Sequence, residues 1–161
     1  MTQHPEMHRK LWLDQLIKEN DFKLGAELGV HEGVTHMYLL DRNPSLTMIG
    51  VDLYQGKQAK YWDVVSPKLM SAGVRSRFYK ENTVAAAKNV TDDEIDFVFI
   101  DADHTYKGVK ADILAWMPKV RKGGYVTGHD CDNKNIKKAL VEIFGEGGYE
   151  TAWDEVWYVQ K

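Results

Sequence analysis

The sequence predicts a three-layer α/β fold, with helices on both faces of a mostly parallel sheet. Three observations carry this. Strand-like and helix-like runs alternate from Phe22 onward, and Ile95 to Ile100 (IDFVFI) is a near-continuous apolar run of the kind buried on both faces. The last two strand-like runs are so close together that they must pair antiparallel. At 161 residues the chain fits one domain and is too short for two, with residues 1–21 as an N-terminal helix and residues 22–161 as the core.

Each element has its own signal. Pro5 to Asn20 places Leu11, Leu13, Leu16 and Ile17 at roughly helical spacing, with Trp12 adding bulk, which predicts an amphipathic helix covering one edge of the core. Lys23 to Leu28 reads as the first strand, followed by a glycine-bearing turn and a helix over Thr35 to Asp41 that Pro44 closes off. Leu46 to Val51 (LTMIGV) is the second strand and ends in Asp52; a helix from Lys57 to Met70 follows, closing at Ala72-Gly73. Arg75 to Tyr79 is the third strand and Thr83 to Lys88 a short helix, after which Ile95 to Ile100 delivers Asp101 at its end. Lys107 to Met117 suits a helix ended by Pro118, and Gly123-Gly124 turns the chain into a fifth strand, Tyr125 to Gly128. A helix over Asn133 to Phe144 precedes the closing pair, Tyr149 to Trp153 and Glu155 to Gln160.

Composition excludes several classes of function. Apolar residues at 43% and charged residues at 28% are ordinary for a globular chain. A formal charge of -3 gives no field that would draw the protein to nucleic acid or to an anionic membrane, so small-molecule partners are expected, and the chain folds alone or as a homo-oligomer. Cys131 is the only cysteine, which excludes an internal disulfide and a cysteine-based zinc set. With no apolar signal core in MTQHPEMHRK and no run long enough for a membrane span, the expected location is cytoplasmic. Trp12, Trp62, Trp116, Trp153 and Trp157 read as core rather than as a nucleic-acid stacking surface, because no basic patch accompanies them. Lys134, Lys137 and Lys138 read as a solvated helix face.

In open parallel sheets ligands sit outside the carboxyl ends of the strands, near the switch in strand order. The informative polar residues of this chain collect there: Glu27 with Gly29, Asp52, Glu81-Asn82, Asp101 with Asp103 and His104, and His129-Asp130. An acidic residue ending the second strand, after a glycine loop ending the first, suits the two hydroxyls of a ribose, and Asp52 fits that role. A dinucleotide loop would need a glycine between Gly29 and Gly33 for close approach to a pyrophosphate. This chain has His31 there, and Glu32 adds negative charge where a diphosphate would bind, so a ligand without phosphate fits better.

Glu27-Leu28-Gly29, then Gly33 and Thr35, resembles motif I of the class I S-adenosylmethionine-dependent methyltransferases in its E-L-G-x-x-x-G form. IDFVFIDADHTYKGVKADILAWMPKVRKGGYVTGHD closely resembles the pattern of the small bacterial macrocin-type and catechol O-methyltransferase-like enzymes. The similarity covers roughly Leu24 to Phe144. It implies a Rossmann-like sandwich with a seven-stranded sheet in the order 3-2-1-4-5-7-6, and transfer of a methyl group from S-adenosyl-L-methionine to an oxygen of a small-molecule methyl acceptor.

Carried over by position, the resemblance implies that Glu27, Gly29, Val30, His31 and Gly33 form the methionine-side loop, that Asp52 takes the ribose, and that Leu53 meets the adenine face. Asn82 and Thr83 fall at the adenine edge, and Asp101, at the end of the fourth strand, is counted with the cofactor-binding residues. Asp101, His129 and Asp130 stand where the catechol-type enzymes ligate a divalent metal ion; His129 replaces a carboxylate, which weakens the case for magnesium and leans toward a softer metal or none. Asp103 matches the family's base, and His104 either shares that work or orients the loop.

Plainer roles compete at each position. Gly29 and Gly33 serve a tight turn, Asp52 caps a helix, Asp101 and Asp103 stabilise the turn before the Lys107 helix, and His129-Asp130 cap the Asn133 helix. Two other functions compete as well: a module that holds S-adenosylmethionine or S-adenosylhomocysteine without catalysis, and an NAD or nucleotide-sugar enzyme, which the His31-Glu32 loop disfavours.

Overall fold

The structure is a computed structural model that describes residues 5–161, with side chains described from Arg9 onward. Residues 1–4 of the segment read as the N-terminal helix lie outside the described residues. The chain runs α1 (Pro5–Asn20), β1 (Leu24–Leu28), α2 (Val34–Arg42), β2 (Thr47–Val51), α3 (Trp62–Ser71), β3 (Ser76–Tyr79), α4 (Thr83–Ala86), β4 (Ile95–Ile100), α5 (Tyr106–Trp116), β5 (Val120–Gly128), α6 (Lys134–Phe144), β6 (Glu150–Thr151) and β7 (Trp157–Gln160). The seven strands form one sheet in the order β3-β2-β1-β4-β5-β7-β6; β7 runs antiparallel to both β5 and β6, and the other pairs are parallel.

Alternation along the strands sorts the core onto two faces. Phe97 and Phe99 point to one face and pack with Leu13, Leu16 and Ile17 of α1 and with Leu39 and Leu40 of α2. Val98 and Ile100 point to the other and pack with Val109, Ile113 and Trp116 of α5 and with Ile136, Ala139 and Leu140 of α6. Every residue of β4 is buried, as its apolar run requires.

The structure corrects four details. The helix expected over Lys57 to Met70 is split, because Gly56–Tyr61 forms a 3-10 turn with no buried side chain and only Trp62–Ser71 is α-helical. That first part has no apolar stripe to anchor it. The fifth strand begins at Val120 rather than Tyr125, and Gly123-Gly124 lies within it, where the pairing of β4 with β5 shifts register. A Cβ on Gly124 would stand 2.3 Å from the Asp96 carbonyl, so the chain crosses β4 there only as glycine. The closing strands are shorter than expected, since Asp154 and Glu155 both take left-handed φ values (58° and 54°) in the turn between them. Trp153 in that turn is 64% exposed and not core, whereas Trp116 and Trp157 are fully buried.

The strand order reverses between β1 and β4, and both strands end at the same level. Asp101 N–H donates to the Leu28 carbonyl (2.9 Å) and Gly29 N–H to the Val51 carbonyl (2.8 Å), so the chain leaves the sheet together at Gly29, Asp52 and Asp101. The two crossovers diverge to opposite faces and leave a crevice between them.

Candidate active site at the carboxyl ends of the strands

A cleft of about 540 Å³ opens at this crevice, lined by Arg9, Gly29, His31, Asp52, Leu53, Gln58, Glu81, Asn82, Thr83, Asp101, Ala102, Asp103 and His104. Nine of the residues expected from sequence therefore come together: Gly29, His31, Asp52, Leu53, Asn82, Thr83, Asp101, Asp103 and His104. Glu27, Val30, Gly33, His129 and Asp130 are not part of its lining.

The side of the cleft formed by β1, β2 and β3 is shaped by backbone. Gly29 has φ +89°, and a Cβ there would stand 2.2 Å from the Asp101 carbonyl oxygen. Glycine is thus required by conformation and by the approach of two strand ends. His31 also takes a left-handed φ of 51°, at a cost of about 1 kcal/mol for a residue with a side chain. The cost is offset locally. His31 N–H donates to Asp52 Oδ2 (2.9 Å), Tyr54 N–H donates to Asp52 Oδ1 (3.0 Å), and the Tyr54 hydroxyl donates to the His31 carbonyl (2.6 Å). Hydrogen bonds to a charged acceptor contribute about 1.5–3 kcal/mol each when shielded and less when wet, so the two to Asp52, with the neutral one from Tyr54, outweigh the strain. Asp52 caps no helix. An ionised carboxylate has about four acceptor positions, and two remain for hydroxyls of a ligand.

Asn82 caps α4, its Oδ1 accepting from Val84 N–H (3.0 Å) and Ala85 N–H (3.3 Å), which leaves the amide NH₂ free to serve the cleft. Thr83 is held from below by the residues of the D-x-x-x-W pattern. Its hydroxyl donates to Asp112 and its carbonyl accepts from Trp116 Nε1 (2.9 Å). Burial pushes Asp112 up to about 6, the Thr83 hydrogen bond opposing it and the charge of Asp103 adding to it.

Beneath the loop, Glu27 is buried with its Oε2 3.3 Å from His36 Nδ1, while the other ring nitrogen of His36 lies 3.0 Å from Ser76 Oγ. Burial raises the Glu27 carboxyl above the ordinary carboxylate range. Val30 packs in a small cluster with Tyr54, Val65 and Leu69, and Gly33 faces Val65. These residues support the loop from inside.

The β4–β5 side is built instead from charged side chains. His104 Nε2 lies 2.6 Å from Asp130 Oδ2 and 3.2 Å from Asp101 Oδ1. Asp101, assisted by the charges of Asp130 and Asp103 and opposed by burial, raises the imidazole above its usual range. His129, largely buried, has Nδ1 3.0 Å from Asp130 Oδ1, and Asn133, not His129 or Asp130, supplies the side-chain cap of α6. Asp103 turns back: its Oδ1 accepts from Thr105 N–H (2.8 Å), and its carboxyl carbon lies where a Cβ on Gly108 would be 2.2 Å away. Arg9, which no local motif announces, reaches in from α1 and places Nη1 3.4 Å from Asp101 Oδ2 and 3.0 Å from His129 Nδ1. Gln58 and Tyr54 were also not legible as site residues, since their roles depend on the 3-10 turn and on the loop they brace.

A metal at this rim is tested by its donors. Among the described residues Asp101, His104 and Asp130 bring one ligand atom each within 4.8 Å of one another, with His104 rather than His129 completing the group. All four of their carboxylate oxygens are already paired with Arg9, His104 or His129, and the guanidinium stands beside them as a fixed positive charge. Such a set does not fit a hard dication that needs about six oxygen ligands. The cofactor cradle fits better, because Gly29, Asp52, Asn82 and the exposed face of Leu53 line one side of the cleft with free acceptors, an amide and an apolar surface.

Comparison with known proteins adds the family. A family model described as a methyltransferase domain matches residues 26–131. A curated relative, the uncharacterized protein y4gI of Sinorhizobium fredii, is 25% identical over 117 residues, covering 66% of this chain; the chain spans 13% of that protein's length. Among solved structures, CalS11, a TDP-rhamnose 3′-O-methyltransferase of calicheamicin biosynthesis, superposes with a TM-score of 0.72 at 19% identity, covering 98% of this chain and 80% of its own. SAH-bound PaMTH1 of Podospora anserina gives 0.73 at 11% identity, covering 94% and 77%. TomG of Streptomyces achromogenes, solved with SAM and involved in tomaymycin synthesis, gives 0.71 at 12% identity, covering 95% and 80%. At these identities the likeness is one of fold.

Proposed function

Because the chain belongs to the methyltransferase-domain family, as the match over residues 26–131 shows, we propose that it moves the methyl group of S-adenosyl-L-methionine to an oxygen of a small molecule. The observation that carries this reading is the pairing, in one cleft, of the Gly29–Asp52 cradle with an imidazole held by two carboxylates. When bound, S-adenosylmethionine supplies a methyl carbon carrying a sulfonium leaving group. The chain's part is alignment and proton removal.

Asp52 accepts from the ribose, the Asn82 amide and Leu53 meet the adenine, and the loop at Gly29 and His31 takes the methionine end. His104 is the proton acceptor. Its Nε2 is engaged by Asp101 and Asp130, which leaves Nδ1 to take the acceptor hydroxyl's proton while the carboxylates stabilise the resulting imidazolium. Asp103, committed to the Thr105 N–H, holds the loop that carries His104.

Calorimetry with S-adenosylmethionine, S-adenosylhomocysteine and NAD tests the ligand class, and binding of NAD alone sinks the reading. Incubation with labelled methyl donor and a metabolite pool then tests turnover. Because His104 must be neutral to accept a proton and its pKa lies above the usual 6.5, turnover should rise with pH through a range above that value. His104→Gln should abolish that rise and lower turnover by roughly 10²-fold while leaving cofactor affinity intact. A second reading, a module that holds the cofactor without turnover, draws support from the thin cover over the cleft, the 3-10 turn Gly56–Tyr61 with no buried residue. Cofactor binding with no labelled product across the pool would favour it.

A further inference from the structure

The family resemblance puts a divalent metal at the ends of β4 and β5, and the structure puts a guanidinium there. Arg9 is delivered by α1, whose Leu13, Leu16 and Ile17 are fixed in the core against Phe97 and Phe99, so the position of the arginine is set by the packing of the whole helix. Its Nη1 lies 3.4 Å from Asp101 Oδ2 and 3.0 and 3.2 Å from the two ring nitrogens of His129. Its side chain is only 20% exposed, and Nε is buried with no hydrogen-bond partner. A charge this far out of water is retained where opposite charge matches it, and Asp101 provides that match.

The pairing leaves a metal nowhere to bind without displacement. Asp101 spends Oδ2 on Arg9 and Oδ1 on His104, while Asp130 spends Oδ2 on His104 and Oδ1 on His129. A dication would have to break two of these contacts and then sit against the guanidinium, whose repulsion acts on both of its charges. We propose that Arg9 is the resident cation of this site: it takes the seat of the divalent metal, neutralises Asp101, positions His129 and renders the chain's reaction metal-independent. This rests on the methyl-transfer reading above.

Arg9 acts as a positioning residue. It fixes the charge balance of the rim, so that Asp101 is free to hold His104 instead of ligating an ion. Arginine suits this better than lysine, because its guanidinium is weakly hydrated and keeps its charge when partly buried, whereas a buried ammonium gives up its proton readily.

The test uses the whole chain after dialysis against chelator. Titration of wild-type protein with Mn²⁺ should show no saturable binding, and Arg9→Gln, which removes the charge and keeps much of the bulk, should acquire one Mn²⁺ site. Arg9→Lys should stay without one. Circular dichroism and thermal melting of each variant establish that it is folded. In the methyl-transfer assay, chelator should leave wild-type turnover unchanged, while Arg9→Gln should lower kcat by roughly tenfold or more with little change in cofactor Kd, partly restored in Arg9→Lys. Stoichiometric Mn²⁺ binding by wild-type protein, loss of wild-type turnover with chelator, or a folded Arg9→Gln that gains no Mn²⁺ site would each overturn the proposal. Failure to bind S-adenosylmethionine would instead refute the methyl-transfer reading and leave the Mn²⁺ titrations to decide the role of Arg9.

Discussion

The two sides of the cleft are made in different ways. Along β1, β2 and β3 the shape comes from backbone: a glycine with positive φ, a histidine forced into the same region, and Asp52 and Asn82 held in place by accepting from nearby N–H groups. Along β4 and β5 the shape comes from side chains that meet across long stretches of sequence, Arg9 with His129 at a separation of 120 residues and His104 with Asp130. A backbone-built wall is rigid and suits a ligand that never changes. A wall of paired charges can be re-tuned by one substitution.

This contrast can be broken by experiment. If it holds, changes on the first side move stability and cofactor affinity together, and changes on the second move turnover alone. The largest effect belongs to Gly29→Ala, which combines a φ of +89° with a Cβ 2.2 Å from the Asp101 carbonyl. It should cost about 3 kcal/mol or more in denaturant unfolding and abolish measurable S-adenosylhomocysteine binding. A variant with wild-type stability and affinity would show that the loop is not set by backbone.

Asp112 comes next, because it stands under Thr83 on the first side while its helix leads from the second. Its carboxyl is held at about 6 against an ordinary 3.8, so the folded protein binds this proton more tightly than the unfolded chain. The contribution is fully present below about pH 4 and is lost as pH rises through about 6, a difference of up to about 3 kcal/mol. Asp112→Asn should flatten that part of the stability-against-pH curve, measured by urea unfolding from pH 4 to 8. An unchanged slope would assign the loss to other groups. Asn82→Ala should have the smallest effect, about 1 kcal/mol from loss of the α4 cap. If it weakens S-adenosylhomocysteine binding more than the loss of a cap predicts, the Asn82 amide touches the ligand; an affinity equal to wild type would remove Asn82 from the cofactor site.

The same contrast explains how much of the molecule was legible in the sequence. Gly29, Asp52, Asn82 and Asp101 carry their signals locally, as glycine at a strand-to-helix turn or a polar residue ending an apolar run. The strand order that the family resemblance implies is the observed one, and the short closing connection by itself required the antiparallel pair at its end. Boundaries were less legible. The start of β5 was hidden by Gly123-Gly124, which look like a turn and act as a crossing point over Asp96. Asp103 matched a pattern, yet its carboxylate is drawn back by the N–H of Thr105, a competition that pattern alone does not weigh.

By itself the sequence determined the alternation, the buried central strand and the loop whose His31 and Glu32 argue against a diphosphate, because these depend on near neighbours in the chain. Only the tertiary structure decided which histidine joins Asp101 and Asp130, and that Arg9 stands beside them. Those outcomes depend on where packing brings distant helices to rest, and side-chain charges pair through space with no regard for their order in the chain.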